Sequence, residues 1–398
     1  MFKKIVFLTF LCITLNADET ILSFYKSALQ NLQYDKSYNL YKESNSLQKS
    51  AVSRNRFASF ALDAGYISTK AVRLPNSFTT TNVALSDSID IFGKSSYKIE
   101  ELSLHLQENK TLLNIQKEKL FTSLVTMISA YREIQEKLTL HVSLLDEQQK
   151  IFDRLSLLNR SGTVSDMDLL RFKNTLTLLK TQILDEQNSV LKMRQQLHNY
   201  AQNQTIPSLH DTTVASTKEQ YLHQDQNLKL SDIAALRLRN QSDSLSHSYL
   251  PDLVAATAYQ KIDDPTANGD NYSFDLSLHI PLSSGDFKQS EALKAEALSV
   301  KSNDVEYKIQ RENEYLERIQ TIESTSQQLK ILEDNLGDYQ HSEDVIKVAY
   351  LKKYVDFNTY MQVLTQTLSI KEQIIQMKYQ KNRETILLNT IASGAIYE

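Results

Sequence analysis

The chain has 398 residues and a formal net charge of −4, from 44 basic and 48 acidic side chains. That balance argues against a nucleic-acid groove, and a single cysteine excludes a disulfide framework. Seven glycines, five prolines and no tryptophan leave little material for long loops and favour long helices.

Residues 1–17 (MFKKIVFLTFLCITLNA) have the organisation of an export signal: basic Lys3 and Lys4, an apolar stretch from Ile5 to Leu15, and Ala17 before a cut. The stretch of about 11 residues falls short of the roughly 20 that span a bilayer as a helix. Cys12 lies inside it without the small residue expected before a lipidated cysteine, and reads as apolar filler. Later in the chain no apolar run is long enough for a helical span.

Residues 18–58 are expected to form a helix, followed by a first β-hairpin over 59–93. Its strands are SFALDAGYISTK (59–70) and FTTTNVALSDSIDIFGK (78–94). A long helical hairpin over 94–200 comes next. Between Ser95 and Asn159 no proline or glycine intervenes, and apolar residues recur every seven positions: Leu106, Leu113, Leu120, Met127 and Ile134 on one line, Leu124, Tyr131, Leu138, Leu145 and Phe152 on another. A helix of that length extends about 95 Å. His141 continues the first line and reads as packing or an interhelical hydrogen bond. The turn NRSGTVSDMD (159–168) reverses the chain, with Gly162 as helix stop and Ser165 or Asp166 as cap.

The polar segment 201–224 is a linker, and 225–248 is a shorter helix. A second β-hairpin is expected over 249–284, with strands PDLVAATAYQKI (251–262) and NYSFDLSLHIPL (271–282). A second helical hairpin over 285–392 follows, its first helix running unbroken from about Phe287 to Tyr350, and 393–398 is a tail. Its turn, YLKKYVDFNTY (350–360), offers Asp356 or Asn358 as cap. The two halves align as a repeat: Tyr66 with Tyr259 at a shift of 193, and Val83, Gly162 and Ser165 with Phe274, Lys353 and Asp356 at 191.

The strands alternate apolar and polar residues, as a half-buried sheet does and as a transmembrane barrel does. Asp87 stands on the otherwise apolar face of its strand and suggests a rim or a bulge. Four strands are too few to close on themselves, so the pattern asks for further copies of the chain, two, three or four by geometry alone.

The segments DSIDIFGK (87–94), IPLSSGDFKQ (280–289), NRSGTVSDMDLL (159–170) and SYLPDLVAATAY (248–259) resemble the TolC family of outer-membrane efflux proteins, in order over residues 20–392. The resemblance implies an α+β fold: a homotrimer with a 12-stranded outer-membrane β-barrel continued by a long α-helical periplasmic barrel, two structural repeats per protomer. It further implies a passive exit duct in the cell outer membrane, contacting outer-membrane lipid. Its partners would be a periplasmic adaptor protein and an inner-membrane pump of the resistance or ATP-driven type, with no cofactor and no nucleic acid.

Family tips carry acids six and nine positions after the turn glycine. Here Asp168 takes the sixth place and Arg171 the ninth. In the second half Lys353 replaces the glycine, Thr359 and Gln362 replace the acids, and Asp356 lies three after the turn. Asp166, Asp168 and Asp356 are therefore candidates for a constriction, though each also suits a helix N-terminus. Arg160, Gly162, Lys352 and Lys353 are candidates for adaptor contact. No HExxH motif, phosphate loop or nucleophile elbow marks an enzyme. The alternative from another class is a periplasmic coiled-coil adaptor or scaffold.

Overall fold

A computed structural model describes residues 21–56, 59–70, 77–162, 164–202, 204–263, 269–281 and 283–398. The export signal expected at 1–17, with Cys12, and residues 71–76 and 264–268 lie outside the described residues. The chain forms two compact units, each discontinuous in sequence: one from residues through Tyr34 with Asn114–Asp225 and Ile309–Glu398, the other from Asp35–Leu113 and Gln226–Lys308.

The helix α1 is described over 21–31 and α2 over Tyr34–Asn55. The single N-terminal helix expected from the sequence is thus broken at Leu32 and Gln33, where Gln33 takes a left-handed φ of 56°. Strands β1 (Phe60–Lys70) and β2 (Ser77–Ile89) follow, then α3 (Lys94–Arg160), α4 (Asp166–Tyr200), α5 (Lys218–His223) and α6 (Gln226–Ser246). Strands β3 (Asp252–Asp263) and β4 (Gly269–His279) precede α7 (Ser284–Ser302), α8 (Asp304–Leu351) and α9 (Phe357–Ser393). The expected unbroken second long helix is two helices, interrupted at Asn303. Beside the break, the Asp304 carboxylate accepts from Ser231 Oγ of α6 at 2.6 Å and from Lys301 Nζ at 2.9 Å.

The unit containing the sheet is built from alternation. The strands pair antiparallel in the order β1-β2-β3-β4. Directly opposed residues share a face, and the register sets Leu62 beside Leu85, Leu85 beside Thr257, and Thr257 beside Phe274. One face therefore collects Phe60, Leu62, Tyr66, Val83, Leu85, Phe274, Leu276 and Leu278. The other collects small or polar residues such as Asp63, Gly65, Asn82, Ala256, Ser273 and Asp275. Asp87 closes the hairpin base, its Oδ1 accepting from the Ser59 amide at 2.7 Å. The step into α3 is made by the motif Asp90-Ile91-Phe92-Gly93: Gly93 turns the chain at φ 79°, and the Asp90 carboxylate accepts from the Lys94 and Ser95 amides at 2.9 and 2.7 Å. Burial acts to raise the Asp90 pKa, but these bonds and the one from Ser95 Oγ outweigh it and hold the carboxyl below its usual value.

This sheet corrects the expected architecture. A four-stranded ribbon cannot bring its own edges together, so β1 and β4 remain free edges of an open sheet. The described residues are mostly helical with one small four-stranded open sheet, not a 12-stranded barrel. Among the described residues no helix is long and apolar enough to cross a membrane. The transmembrane barrel, the outer-membrane location and the conducting exit duct all rested on a closed sheet and are corrected with it. An open sheet on a helical chain encloses no lumen, and it fits the coiled-coil scaffold better than the duct.

In the helical unit, Phe24 and Tyr25 of α1, Phe121, Leu124, Val125 and Ile128 of α3, Leu197 of α4 and Leu387, Leu388 and Ile391 of α9 form a main core. The segment 204–217 lies over it because side chains satisfy its backbone. Arg132 donates to the carbonyls of Ile206 and Pro207, and Asn389 bonds to Thr213, Ala215 and Ser216. A Thr217–Gln220 capping box then starts α5.

Candidate functional site

The two turns at the ends of the α3–α4 and α8–α9 hairpins lie together in the helical unit. Their helices are held by a second core of Ile151, Leu155, Phe172, Leu176, Tyr350, Phe357, Tyr360 and Leu364. Within it Tyr350 and Tyr360 stack in parallel with ring centroids 5.0 Å apart, and Phe172 packs on Tyr360 at 6.5 Å and on Phe357 at 6.0 Å. The Tyr360 hydroxyl donates to Gln148 Oε1 at 2.9 Å.

The turns share one geometry. Gly162 has φ 74° and Lys353 φ 65°, so both residues that stand in register in the repeat end their helices in the left-handed conformation. Three residues later, Ser165 and Asp356 cap the next helix, accepting from the Asp168 and Thr359 amides at 3.1 and 2.7 Å. The Asp356 carboxyl lies below its usual range because it accepts the Thr359 amide and hydroxyl bonds. A lysine in the left-handed region costs about 1–2 kcal/mol relative to a favoured conformation.

Between the turns is a cleft of about 490 Å³ whose lining includes Gly162, Asp168, Arg171, Tyr350, Lys353 and Asp356. The Tyr350 hydroxyl is buried without a hydrogen-bond partner. Burial, and then the charge of Asp168, push it up to about 12. Of the candidate constriction residues, Asp168 and Asp356 reach this cleft, where Arg171 and Lys353 balance their charge. Asp166 is exposed and accepts from Asn159 Nδ2 at 2.8 Å, a local turn contact. Of the candidate contact residues, Gly162 and Lys353 line the cleft, whereas Arg160 and Lys352 are exposed and do not. The sequence reading misses the aromatic floor. Its signal is the recurrence of Tyr350, Phe357 and Tyr360 around a turn otherwise read for its charges.

No family model matches the chain, and no curated protein matches it. Solved structures do. The outer-membrane channel OprN superposes with a TM-score of 0.77 at 12% identity, over 96% of this chain and 91% of that one. CusC, solved in the context of folding and transmembrane channel formation, gives 0.76 at 11%, over 94% and 92%. The CmeC outer-membrane channel of Campylobacter jejuni gives 0.74 at 13%, over 96% and 86%. The fold is TolC-like. At these identities the likeness is one of fold, shared with several TolC-family outer-membrane channel proteins. In the present chain no group of three or more metal-ligating side chains among the described residues is placed to hold an ion.

Proposed function

We propose that the chain is a self-associating coiled-coil scaffold of the periplasm, joined to copies of itself at the edges of its sheet and to a helical adaptor-type partner at its paired tips. The observation that carries this reading is the open sheet. Every residue of β4 is exposed, including Tyr272, Phe274 and Leu276 at 76%, 76% and 60%. An edge strand of this length with an apolar face templates pairing with another strand unless something covers it. On α8 of the helical unit, Ile309 and Leu316 add exposed apolar side chains, at 53% and 50% exposure. The TolC-like fold supports three copies as the stoichiometry, and a periplasmic adaptor with its inner-membrane pump as the partners. The periplasmic placement rests on the export signal read at 1–17.

The mass of the purified full chain in mild detergent, which shields the apolar face from nonspecific association, tests this reading. Three chain masses are expected. A folded monomer at micromolar concentration overturns it.

A further inference from the structure

His141 is the one histidine of the described residues that is fully buried. It sits on α3 between carboxylates from two other helices. Its Nδ1 lies 2.8 and 2.9 Å from the two carboxylate oxygens of Glu186 on α4. Its Nε2 faces Glu372 Oε1 of α9 at 2.7 Å, without the alignment of a regular hydrogen bond. Gln182 of α4 approaches Nδ1 at 3.5 Å and Glu186 Oε1 at 3.4 Å. The neighbouring cations are engaged elsewhere: Lys137 of α3 pairs with Glu133 at 2.8 Å, and Lys371 of α9 reaches Glu343 of α8 at 3.8 Å. His141 is thus the side chain shared by Glu186 and Glu372.

The chemistry of the ring makes this arrangement depend on a proton. A neutral imidazole has one N–H donor and one lone pair, whereas an ionised carboxylate only accepts. With a carboxylate at each nitrogen, the neutral ring sets its lone pair against an oxygen lone pair on one side. The doubly protonated ring donates from Nδ1 to Glu186, sets a positive N–H beside Glu372, and neutralises part of the acidic charge.

We propose that His141 is a proton-operated clasp: carrying hydrogen on both ring nitrogens it ties α4 and α9 to α3, and on losing one it releases one of the two carboxylates. The clasp stands independently of the scaffold reading and adds a pH-dependent stiffness to the helical unit. Raising the pH removes the proton, so loosening is expected on the alkaline side.

Glu372→Gln separates this proposal from a plain packing role. The amide introduced by that substitution donates to the Nε2 lone pair while Nδ1–H still donates to Glu186, so the neutral ring satisfies both neighbours and the clasp no longer needs its second proton. The experiment is hydrogen exchange of the full chain at about pH 5.5 and about pH 8, on either side of the range in which an imidazole exchanges its proton. Rates are corrected for intrinsic exchange, and peptides around residues 182–190 and 368–376 are followed, with 117–128 as control. In the wild type, protection of the two peptides is expected to fall about tenfold at the higher pH, the scale of a lost charged hydrogen bond. The control stays constant, and Glu372→Gln folds and shows no such fall. A wild type without the fall, or a Glu372→Gln variant that keeps it, overturns the proposal.

Discussion

Arg318→Ala is expected to lower the stability of the helical unit by about 2–3 kcal/mol, less than the roughly 3–5 kcal/mol of a fully stranded buried charge because each carboxylate partner keeps a second cation. Arg318 of α8 is 13% exposed, and its guanidinium reaches Glu384 of α9 at 2.6 Å and Glu314 at 3.0 Å, with the Tyr221 hydroxyl at 3.3 Å. Arg311 joins this network through Glu118 at 2.7 Å and Glu314 at 2.9 Å, and lies 4.1 Å over the Tyr221 ring. Removing Arg318 leaves Glu384, itself 12% exposed, with Arg383 as its remaining cation. Removing both charges in Arg318→Met/Glu384→Leu is expected to recover much of the loss, since neither charge is then left uncompensated. A urea titration followed by circular dichroism measures both variants. Equal losses in the single and double variants would show that packing, not charge, sets the cost.

The same network sets an acid limit. Burial acts to raise the Glu314 pKa, but Arg311 and Arg318 outweigh it and hold the carboxyl below its ordinary value of 4.5. A depressed folded pKa contributes stability that is present above the unfolded value and is lost as pH falls through the folded one. In Arg318→Ala one of the two cations is gone, so acid unfolding is expected to begin at a higher pH than in the wild type.

The second large effect is expected at the tip. Phe172 is 1% exposed and contacts Phe152 of α3 and Phe357 and Tyr360 of α9, joining α4 to both helices in the buried cluster. Phe172→Ala removes a ring from a cluster of eight buried residues among those described and is expected to cost about 3–5 kcal/mol. Phe172→Leu, which keeps most of the volume, is expected to cost less than about 1.5 kcal/mol. Because the tip cluster is distinct from the main core, the damage should stay local. Proteolysis and hydrogen exchange at 159–168 and 351–357 are expected to rise strongly, with little change around 121–128. Uniform loss of protection across both regions would mean that the two clusters melt as one.

Much of the local structure is legible because period reports orientation. Strict alternation from Tyr272 to Leu278 marks a strand with one apolar face, and the seven-residue recurrence from Leu106 to His141 marks a seam. The shift of 191 from Gly162 to Lys353 is visible because the left-handed turn and the cap three residues later are set by local backbone chemistry, even where lysine replaces glycine. Period does not report what meets the face. Alternation alone points on to a closed barrel, whereas the chain supplies an open sheet. The helix breaks at Gln33 and Asn303 carry no proline or glycine to announce them. Glu314 stands at helical spacing from Arg311 and Arg318, but Glu118, Glu384 and the two partners of His141 come from helices distant in sequence, which no local pattern brings together. At the tip, the acids suggest a ring, although Asp166 and Asp356 serve the turns that carry them.

The most direct measurement of the central claim is oxidative cross-linking between sheet edges in a Cys12→Ser background. Cysteine replaces one of Phe60, Leu62, Ala64 or Tyr66 on β1 and one of Tyr272, Phe274, Leu276 or Leu278 on β4. All eight lie on the same face by the observed register. Within one chain β1 and β4 are separated by two strands, about 14 Å, too far for a disulfide. Self-association through the edges predicts that at least one pair yields a ladder of covalent dimer and trimer, that neighbouring pairs follow a single register, and that each single-cysteine variant yields none. Only monomer from every pair, with the chain folded, would contradict the account.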